Sequence, residues 1–135
     1  MATWSEVKKY VKANFSIVHE TPNSLGMTFR FEDGRTHKIT LLYAGETDVF
    51  GGEWAKLISL VAEFTPTRLQ KAAELAGGFH CGGIAVQAGD SGAWITLQDS
   101  FRINDVDVNE IFEPLNTIVA TADLLEKALT GKDIL

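Results

Sequence analysis

The most reactive side chains in the sequence are those of a neighbouring histidine and cysteine, His80 and Cys81. A thiolate becomes reactive at neutral pH when a base or a positive field lies close to it. In an extended segment, adjacent side chains point to opposite faces, which prevents a dyad between these two. We therefore expect Cys81 to be a small buried thiol. The alternative is a functional pocket beneath the sheet, with Cys81, His80 or Asp99 at its rim.

The other histidines and the acidic clusters do not have the spacing that a metal site requires. His19 and His37 are separated by whole predicted elements and lack a local His-x3-His pattern. The run 105–109, Asp-x-Asp-x-Asn, begins like a calcium loop, but Glu110 and Asn116 stand where that loop needs a glycine and a bidentate acid. Acids at this place are typical of a helix start, where they face unpaired amides. We expect no metal.

Motifs for phosphate binding and hydrolysis are also missing. The glycine clusters at 77–78, 82–83 and 89–92 do not match GxGxxG or GxxxxGK[ST], and they predict turns. None of the serines Ser59, Ser91 and Ser100 stands in a GxSxG elbow. The sequence therefore predicts a protein that is not an enzyme and needs no cofactor.

Length and charge limit the classes of partner. The chain has 135 residues, 45% of them hydrophobic, which fits a single domain spanning 1–135. Its 12 basic and 18 acidic side chains leave a net charge of −6, which disfavours nucleic acid. No basic region precedes an apolar run, and no apolar run is long enough to span a membrane. We expect a cytoplasmic protein that does not bind membranes.

Three helices are predicted from capping residues and apolar spacing. Thr3 caps a helix over residues 4–14, and Thr65-Pro66 begins a short alanine-rich helix that ends at Gly77-Gly78. A third apolar stripe runs from a cap at Asn104 or Asp105 to Gly131. Because Pro114 lacks an amide donor and disfavours helical geometry before it, this helix should bend or break near 110–114.

Two hairpins are predicted from alternating apolar residues. In the first, a three-residue loop ending at a left-handed Gly34 pairs Met27 with Ile39, whereas a two-residue turn would place polar side chains opposite apolar ones. In the second, a tight turn at 89–92 pairs Val86 with Ile95.

The segment 54–62 is apolar at nearly every position. This pattern predicts a central strand that is covered on both faces, or covered on one face and bound by a partner on the other. With two or three strands before and after the middle helix, the order is helix, strands, helix, strands, helix, and the fold class is α+β with a mainly antiparallel sheet. The sequence has many large aromatic residues for a two-layer domain, and most of them should belong to the core. If no helix covers one face of the sheet, some of them would form a patch suited to a partner chain. These aromatic residues are Trp4, Phe29, Phe31, Phe50, Trp54 and Trp94.

The element order resembles that of class I type III secretion chaperones, the Tir-chaperone family, and of the YbjN family of bacterial sensory transduction regulators that share their fold. The segments that carry the resemblance are FEDGR at 31–35, ADLLE at 122–126 and LTG at 129–131. It implies a secretion-chaperone-like fold and a non-enzymatic homodimer that holds a segment of a client protein. The apolar residues Leu124, Ile134 and Leu135 lie off the helical stripe, and they either cap the core or meet another subunit.

The same resemblance implies two surfaces. The first helix and first half of the sheet, with Trp4, Phe29 and Trp54, would bind the partner protein. The short helix and the second half of the sheet, with Leu69, Ala72 and Trp94, would form the dimer contact. We therefore predict a protein-binding module, chaperone-like or regulatory. The alternative is a small-molecule-binding or enzymatic domain of unknown reaction.

Overall fold

Three helices and six strands follow one another in the computed structural model, which describes residues 2–32, 34, 36–46, 52–79 and 82–131. The elements are α1 (Trp4–Asn14), β1 (Ser16–Thr21), β2 (Ser24–Arg30), β3 (Thr36–Glu46), β4 (Glu53–Glu63), α2 (Pro66–Ala76), β5 (Gly83–Gly89), β6 (Gly92–Arg102) and α3 (Phe112–Thr130). All neighbouring strands are antiparallel, in the order β1-β2-β3-β4-β6-β5. The predicted α+β class is confirmed.

The first two helices begin where the capping residues predict. The Thr3 hydroxyl accepts a hydrogen bond from the Glu6 amide at 3.2 Å, and the Thr65 hydroxyl accepts one from the Arg68 amide at 3.1 Å. Each bond satisfies an amide that has no carbonyl partner in the first turn of the helix. Local polar chemistry is therefore sufficient to place both helix starts.

Both predicted hairpins are confirmed with their registers. Met27 pairs with Ile39 across β2 and β3, and Gly34 in the connecting loop has a φ of +87°. Val86 pairs with Ile95 across β5 and β6. Because the side-chain period of a strand is two residues, these registers place every apolar member of each pair on one side of the sheet.

The number of strands before α2 differs from the prediction. Four strands precede α2 because β1, a polar segment with the sequence SIVHET, pairs along the edge of β2. A shift in register between Ile17 and His19 interrupts its alternation. An edge strand that is mostly exposed needs no apolar period, so the pattern that reveals the other strands is missing here.

The last helix begins later than the cap residues predict. Asn104 and Asp105 lie in a short 3₁₀ turn, a second 3₁₀ turn follows at Val108–Ile111, and α3 begins at Phe112. The predicted break near 110–114 is therefore confirmed, but the predicted start is wrong. Pro114 lies in the first turn of α3, where a missing amide donor costs nothing.

The three helices lie on one side of the sheet. Trp4 of α1 stacks on Tyr43 of β3, and Phe15, just after α1, packs against Phe29 of β2. Helix α3 crosses β3, β4 and β6, and α2 packs beside it against β5. Alternate side chains of the inner strands are buried or partly buried beneath these helices. Gly131, with a φ of +68°, ends α3 in the left-handed conformation.

Candidate functional site

The face of the sheet that is turned away from the helices has an apolar centre. Ala55, Leu57 and Ser59 of β4 are buried beneath α3, so the alternate residues Ile58 and Leu60 point to the other side. On β3 the same side carries Lys38, Thr40 and Leu42, and Thr40 pairs with Ile58. We call the surface formed by Lys38, Thr40, Leu42, Lys56, Ile58 and Leu60 the open face.

The open face is concave and contains exposed apolar atoms. Five of its six residues, Lys38, Thr40, Leu42, Ile58 and Leu60, help to line a hollow of about 700 Å³. Leu60 is 45% exposed in the middle of a six-stranded sheet, where side chains are ordinarily covered by a second layer. An apolar, concave surface of this kind is typical of a site where another molecule binds.

Cations surround this apolar centre. Lys38 and Lys56 belong to the open face, and Arg30 lies on the same side at the end of β2. Within the residues that the structure describes, none of the three forms an ion pair or a side-chain hydrogen bond. Among the described strand residues, Glu63 supplies the one carboxylate on this side, at the end of β4.

The aromatic residues predicted to bind a partner do not form one surface. The indole of Trp4 stacks on Tyr43 with ring centroids 5.3 Å apart and donates a hydrogen bond to the Pro22 carbonyl at 3.0 Å. Phe29 packs against Phe15 under the helices. Trp54 lies on the other side of the sheet, next to Lys56 in the alternation of β4. Trp4 and Phe29 thus pack against their own chain, whereas Trp54 lies at the end of the open face.

The residues predicted to form the dimer contact are also divided. Ala72 is fully buried and Leu69 packs against the core, while Trp94 is half-buried on the opposite side of the sheet. Ala72 therefore has no side-chain surface to offer a second chain. The large hydrophobic residue that α2 exposes is Leu75, at 40% exposure.

Leu75 belongs to a shallow depression between α2 and α3 that the sequence did not reveal. We call it the helix-side groove, and its volume is about 340 Å³. It is lined by Leu75, Gly78, Phe79, Thr121, Leu124, Leu125 and Ala128. None of these residues carries a charge. Leu124, which lies off the apolar stripe of α3, is 67% exposed at its rim.

A buried polar trio lies between the sheet and α3. His37 Nε2 shares a short hydrogen bond with Ser59 Oγ, and His37 Nδ1 lies 3.8 Å from Glu126 Oε2. All three side chains are at most 2% exposed. Sequence reasoning missed this trio because its members lie on three different elements and share no local motif.

Burial controls the protonation of His37. Desolvation of the imidazole lowers the pKa of His37 below its ordinary value of 6.5, and the nearby Asp123 carboxylate raises it by a smaller amount. Asp123 also pairs with Lys127 at 3.5 Å. The order serine, histidine, carboxylate is that of a hydrolase triad, but a substrate carbonyl has no path to a serine that is fully buried. The arrangement is that of a polar network inside a core.

Two of the residues with reactive side chains, His80 and Cys81, lie outside the described residues, as do Phe50, Ile134 and Leu135.

Asp99 is half-buried at the margin of a broad surface depression along α3. The acids before the last helix serve local structure, since the Glu110 carboxylate accepts a hydrogen bond from the Asp107 amide at 2.9 Å and the Asp105 carboxylate pairs with Arg102 at 3.3 Å. Across the described ranges, no three His, Cys, Asp or Glu side chains come together as a metal site would require.

Neither a scan against protein-family models nor a search of curated proteins finds a match for this chain. Its function must therefore be inferred from its own geometry. In the part of the chain that the structure describes, no helix has the length and apolar character needed to cross a membrane. The open face and the helix-side groove each combine a concave shape with exposed apolar residues.

Proposed function

We propose that this protein is a non-enzymatic protein-binding module, chaperone-like or regulatory, that acts as a homodimer. The observation that carries the proposal is the open face, an apolar surface in the middle of a sheet whose helices all lie on the other side. A sheet face with apolar side chains gains free energy when a second layer covers it. The partner protein supplies that layer.

The helix-side groove is the better surface for self-association. It has no charged lining residue, so two copies can approach with their grooves facing each other without repulsion between like charges. Leu124 and Leu75 then become buried in the contact. The open face is unsuitable for this purpose because its cations would meet the same cations of the second copy.

The resemblance to secretion chaperones supports the same function, because it implies a homodimer that binds a segment of another protein. The two surfaces lie on opposite sides of the sheet, so a dimer formed through the helix-side groove leaves both open faces accessible. Dimerisation would therefore present two equivalent binding faces to a partner.

The dimer is tested by light scattering after gel filtration. We expect the wild-type chain to be a dimer at micromolar concentration and Leu124→Asp to be a monomer, because a buried carboxylate at the contact would lose its hydration. Val18→Asp is the matched control, since Val18 is 60% exposed on β1, at the far edge of the sheet from α2. A wild-type monomer would contradict the homodimer.

Protein binding is tested by site-specific photo-crosslinking in the cells that produce the protein. A benzophenone amino acid at position 60 lies on the open face, and the same group at position 9 lies on the exposed side of α1. We expect covalent adducts with another polypeptide from position 60 and none of the same mass from position 9. Position 58, which is also on the open face, is a second site for the benzophenone. If neither position 58 nor position 60 gives an adduct, the result counts against the proposal.

The alternative, a small-molecule-binding or enzymatic domain, has the buried trio as its supporting observation. A fluorophosphonate probe distinguishes the two functions, because it labels a serine that is activated by a histidine. Labelling of the wild type but not of Ser59→Ala would favour an enzyme. Because Ser59 is fully buried, we expect no label on the native protein.

A further inference from the structure

We propose that the segment bound on the open face is an acidic amphipathic helix of the partner protein. This inference rests on the proposed function and names the chemistry of the partner. It is carried by two features of the open face. Its cations have no ion-pair partner among the described residues, and its apolar centre runs diagonally across β3 and β4.

The charge of the open face is opposite to that of the whole chain. The protein has six more acidic than basic side chains. Nevertheless Arg30, Lys38 and Lys56 stand on this side of the sheet without ion-pair partners in the described residues, and Glu63 opposes them from the end of β4. A local excess of cations attracts carboxylates and repels a second copy of the same surface.

The apolar residues follow a diagonal across the two central strands. Leu42 of β3 pairs with Lys56 of β4, and Thr40 pairs with Ile58. Two residues beyond this second pair, in the same direction along the sheet, lie Lys38 on β3 and Leu60 on β4. The apolar line from Leu42 to Leu60 therefore has one lysine on each flank. Four residues of strand span about 13 Å, which is the length of about nine helical residues.

A helix fits this pattern because its apolar stripe is bordered on both sides by polar positions. When the stripe lies on the line from Leu42 to Leu60, acidic residues on the two borders come within reach of Lys38 and Lys56. The flexible lysine side chains tolerate small differences in register. Helices also cover the other side of this sheet, which is the usual way in which a sheet face is buried.

A nucleic acid is the competing polyanion, and the surface favours the acidic helix. Phosphates on every nucleotide would feel the net charge of −6, whereas a short helix needs only two flanking carboxylates. The centre of the face consists of the aliphatic residues Leu42, Ile58 and Leu60, which bury an apolar helical stripe but cannot stack on bases. The two indoles on this side of the sheet, Trp54 and Trp94, lie outside that centre.

The test uses fluorescence anisotropy with two labelled peptides of about 18 residues, long enough to cover the line with a turn to spare at each end. Both carry leucines at helical spacing. One has glutamates on the borders of the stripe and the other has lysines. We expect the acidic peptide to bind and the affinity to fall as salt is raised, because exposed charges are screened.

Charge reversal locates the binding surface. The double variant Lys38→Glu/Lys56→Glu should weaken binding of the acidic peptide by about tenfold or more, since two attractions become two repulsions. The control Lys9→Glu/Lys12→Glu changes the net charge by the same amount on α1 and should alter the dissociation constant by less than about twofold. Equal losses in both double variants would overturn the proposal.

The outcomes separate this inference from the proposed function. If the lysine peptide binds more tightly than the acidic one, and Ile58→Ser abolishes its binding, the acidic character of the partner is wrong. The open face would then still be a protein-binding surface. A labelled single-stranded oligonucleotide is the second competitor. If it binds more tightly than the acidic peptide, and its binding depends on Lys38 and Lys56, the inference is overturned in favour of a nucleic acid. If neither peptide binds at about 1 mM, the inference fails, and crosslinking at position 60 then decides the proposed function alone.

Discussion

His37 shows how one buried residue combines a structural and a titratable role. Its ring lies in an otherwise apolar core, where Ser59 shares a hydrogen bond with one nitrogen and the Glu126 carboxylate lies beside the other. A buried polar group without partners would cost free energy, so the trio fixes how α3 sits on β3 and β4. The chemistry of a triad is present, but it serves packing.

The low pKa of His37 predicts a pH-dependent stability. Its folded-state pKa lies below 6.5, the value expected in the unfolded chain, because burial disfavours the imidazolium. The stabilisation is therefore complete above pH 6.5 and is lost as pH falls from 6.5 towards the folded-state pKa. Urea unfolding of the wild type at pH 7.5 and at lower pH should show this decline in the free energy of unfolding.

Two variants assign the decline to one residue. His37→Gln should lose this part of the pH dependence, whereas His19→Gln should keep it because His19 is exposed on β1. An NMR titration of the wild type should give a midpoint for His37 below 6.5. A midpoint above that value would contradict the assignment.

Among the elements, the β2–β3 hairpin was the most predictable. Its register follows from two local requirements, apolar residues opposite one another and a left-handed residue at the end of a three-residue loop. Glycine at position 34 meets the second requirement with a φ of +87°. The loop geometry and the apolar alternation thus agree on one register.

Replacement of Gly34 by alanine should cost about 1–2 kcal/mol, because a Cβ is unfavourable in the left-handed region. A Cβ added at this position would meet no atom within 4 Å, so the cost comes from the backbone alone. Gly77→Ala is the control, since Gly77 has right-handed helical angles and equally open space. It should be neutral or slightly stabilising in the same denaturation measurement. Equal losses from both substitutions would contradict a backbone origin.

Elements without a strong local signal were predicted poorly. Strand β1 has a polar sequence and an irregular register, and its pairing depends on the free edge of β2 rather than on its own pattern. Good capping residues predict an early start for α3, yet the chain forms two 3₁₀ turns before it. Where more than one polar residue could cap a helix, as Asn104 and Asp105 could here, the packing of Ile103 and Ile111 into the core decides where the helix begins.

For the whole molecule, the decisive property is that the sheet has helices on one side. The two faces of β4 should therefore respond differently to truncation. Leu57→Ala should cost about 2–5 kcal/mol, because Leu57 is fully buried and a cavity would remain. Leu60→Ala should change the free energy of unfolding by less than about 0.5 kcal/mol, because Leu60 is 45% exposed. Equal costs in urea unfolding would mean that the open face is covered in the isolated protein.

The candidate surfaces were only partly foreseeable. The aromatic residues were chosen for their size alone, and two of them, Trp4 and Phe29, pack against aromatic rings of their own chain between the helices and the sheet. The open face instead depends on aliphatic residues and lysines of β3 and β4 whose exposure no local pattern reveals. Ala72, a predicted dimer residue, is buried, with Leu75 exposed about one helical turn later.

The helix caps, the two hairpin registers and the α+β class can all be read from the amino-acid sequence, because each depends on residues close together in the chain. The sequence also shows that β4 is apolar on both faces, but it leaves open whether helices or a partner cover the second face. Long-range packing places α1, α2 and α3 on one side of the sheet and brings His37 to Ser59 and Glu126. The polarity of the side chains determines which surfaces gain free energy when they are buried. Contacts between segments that are distant in the chain determine which layer covers each surface.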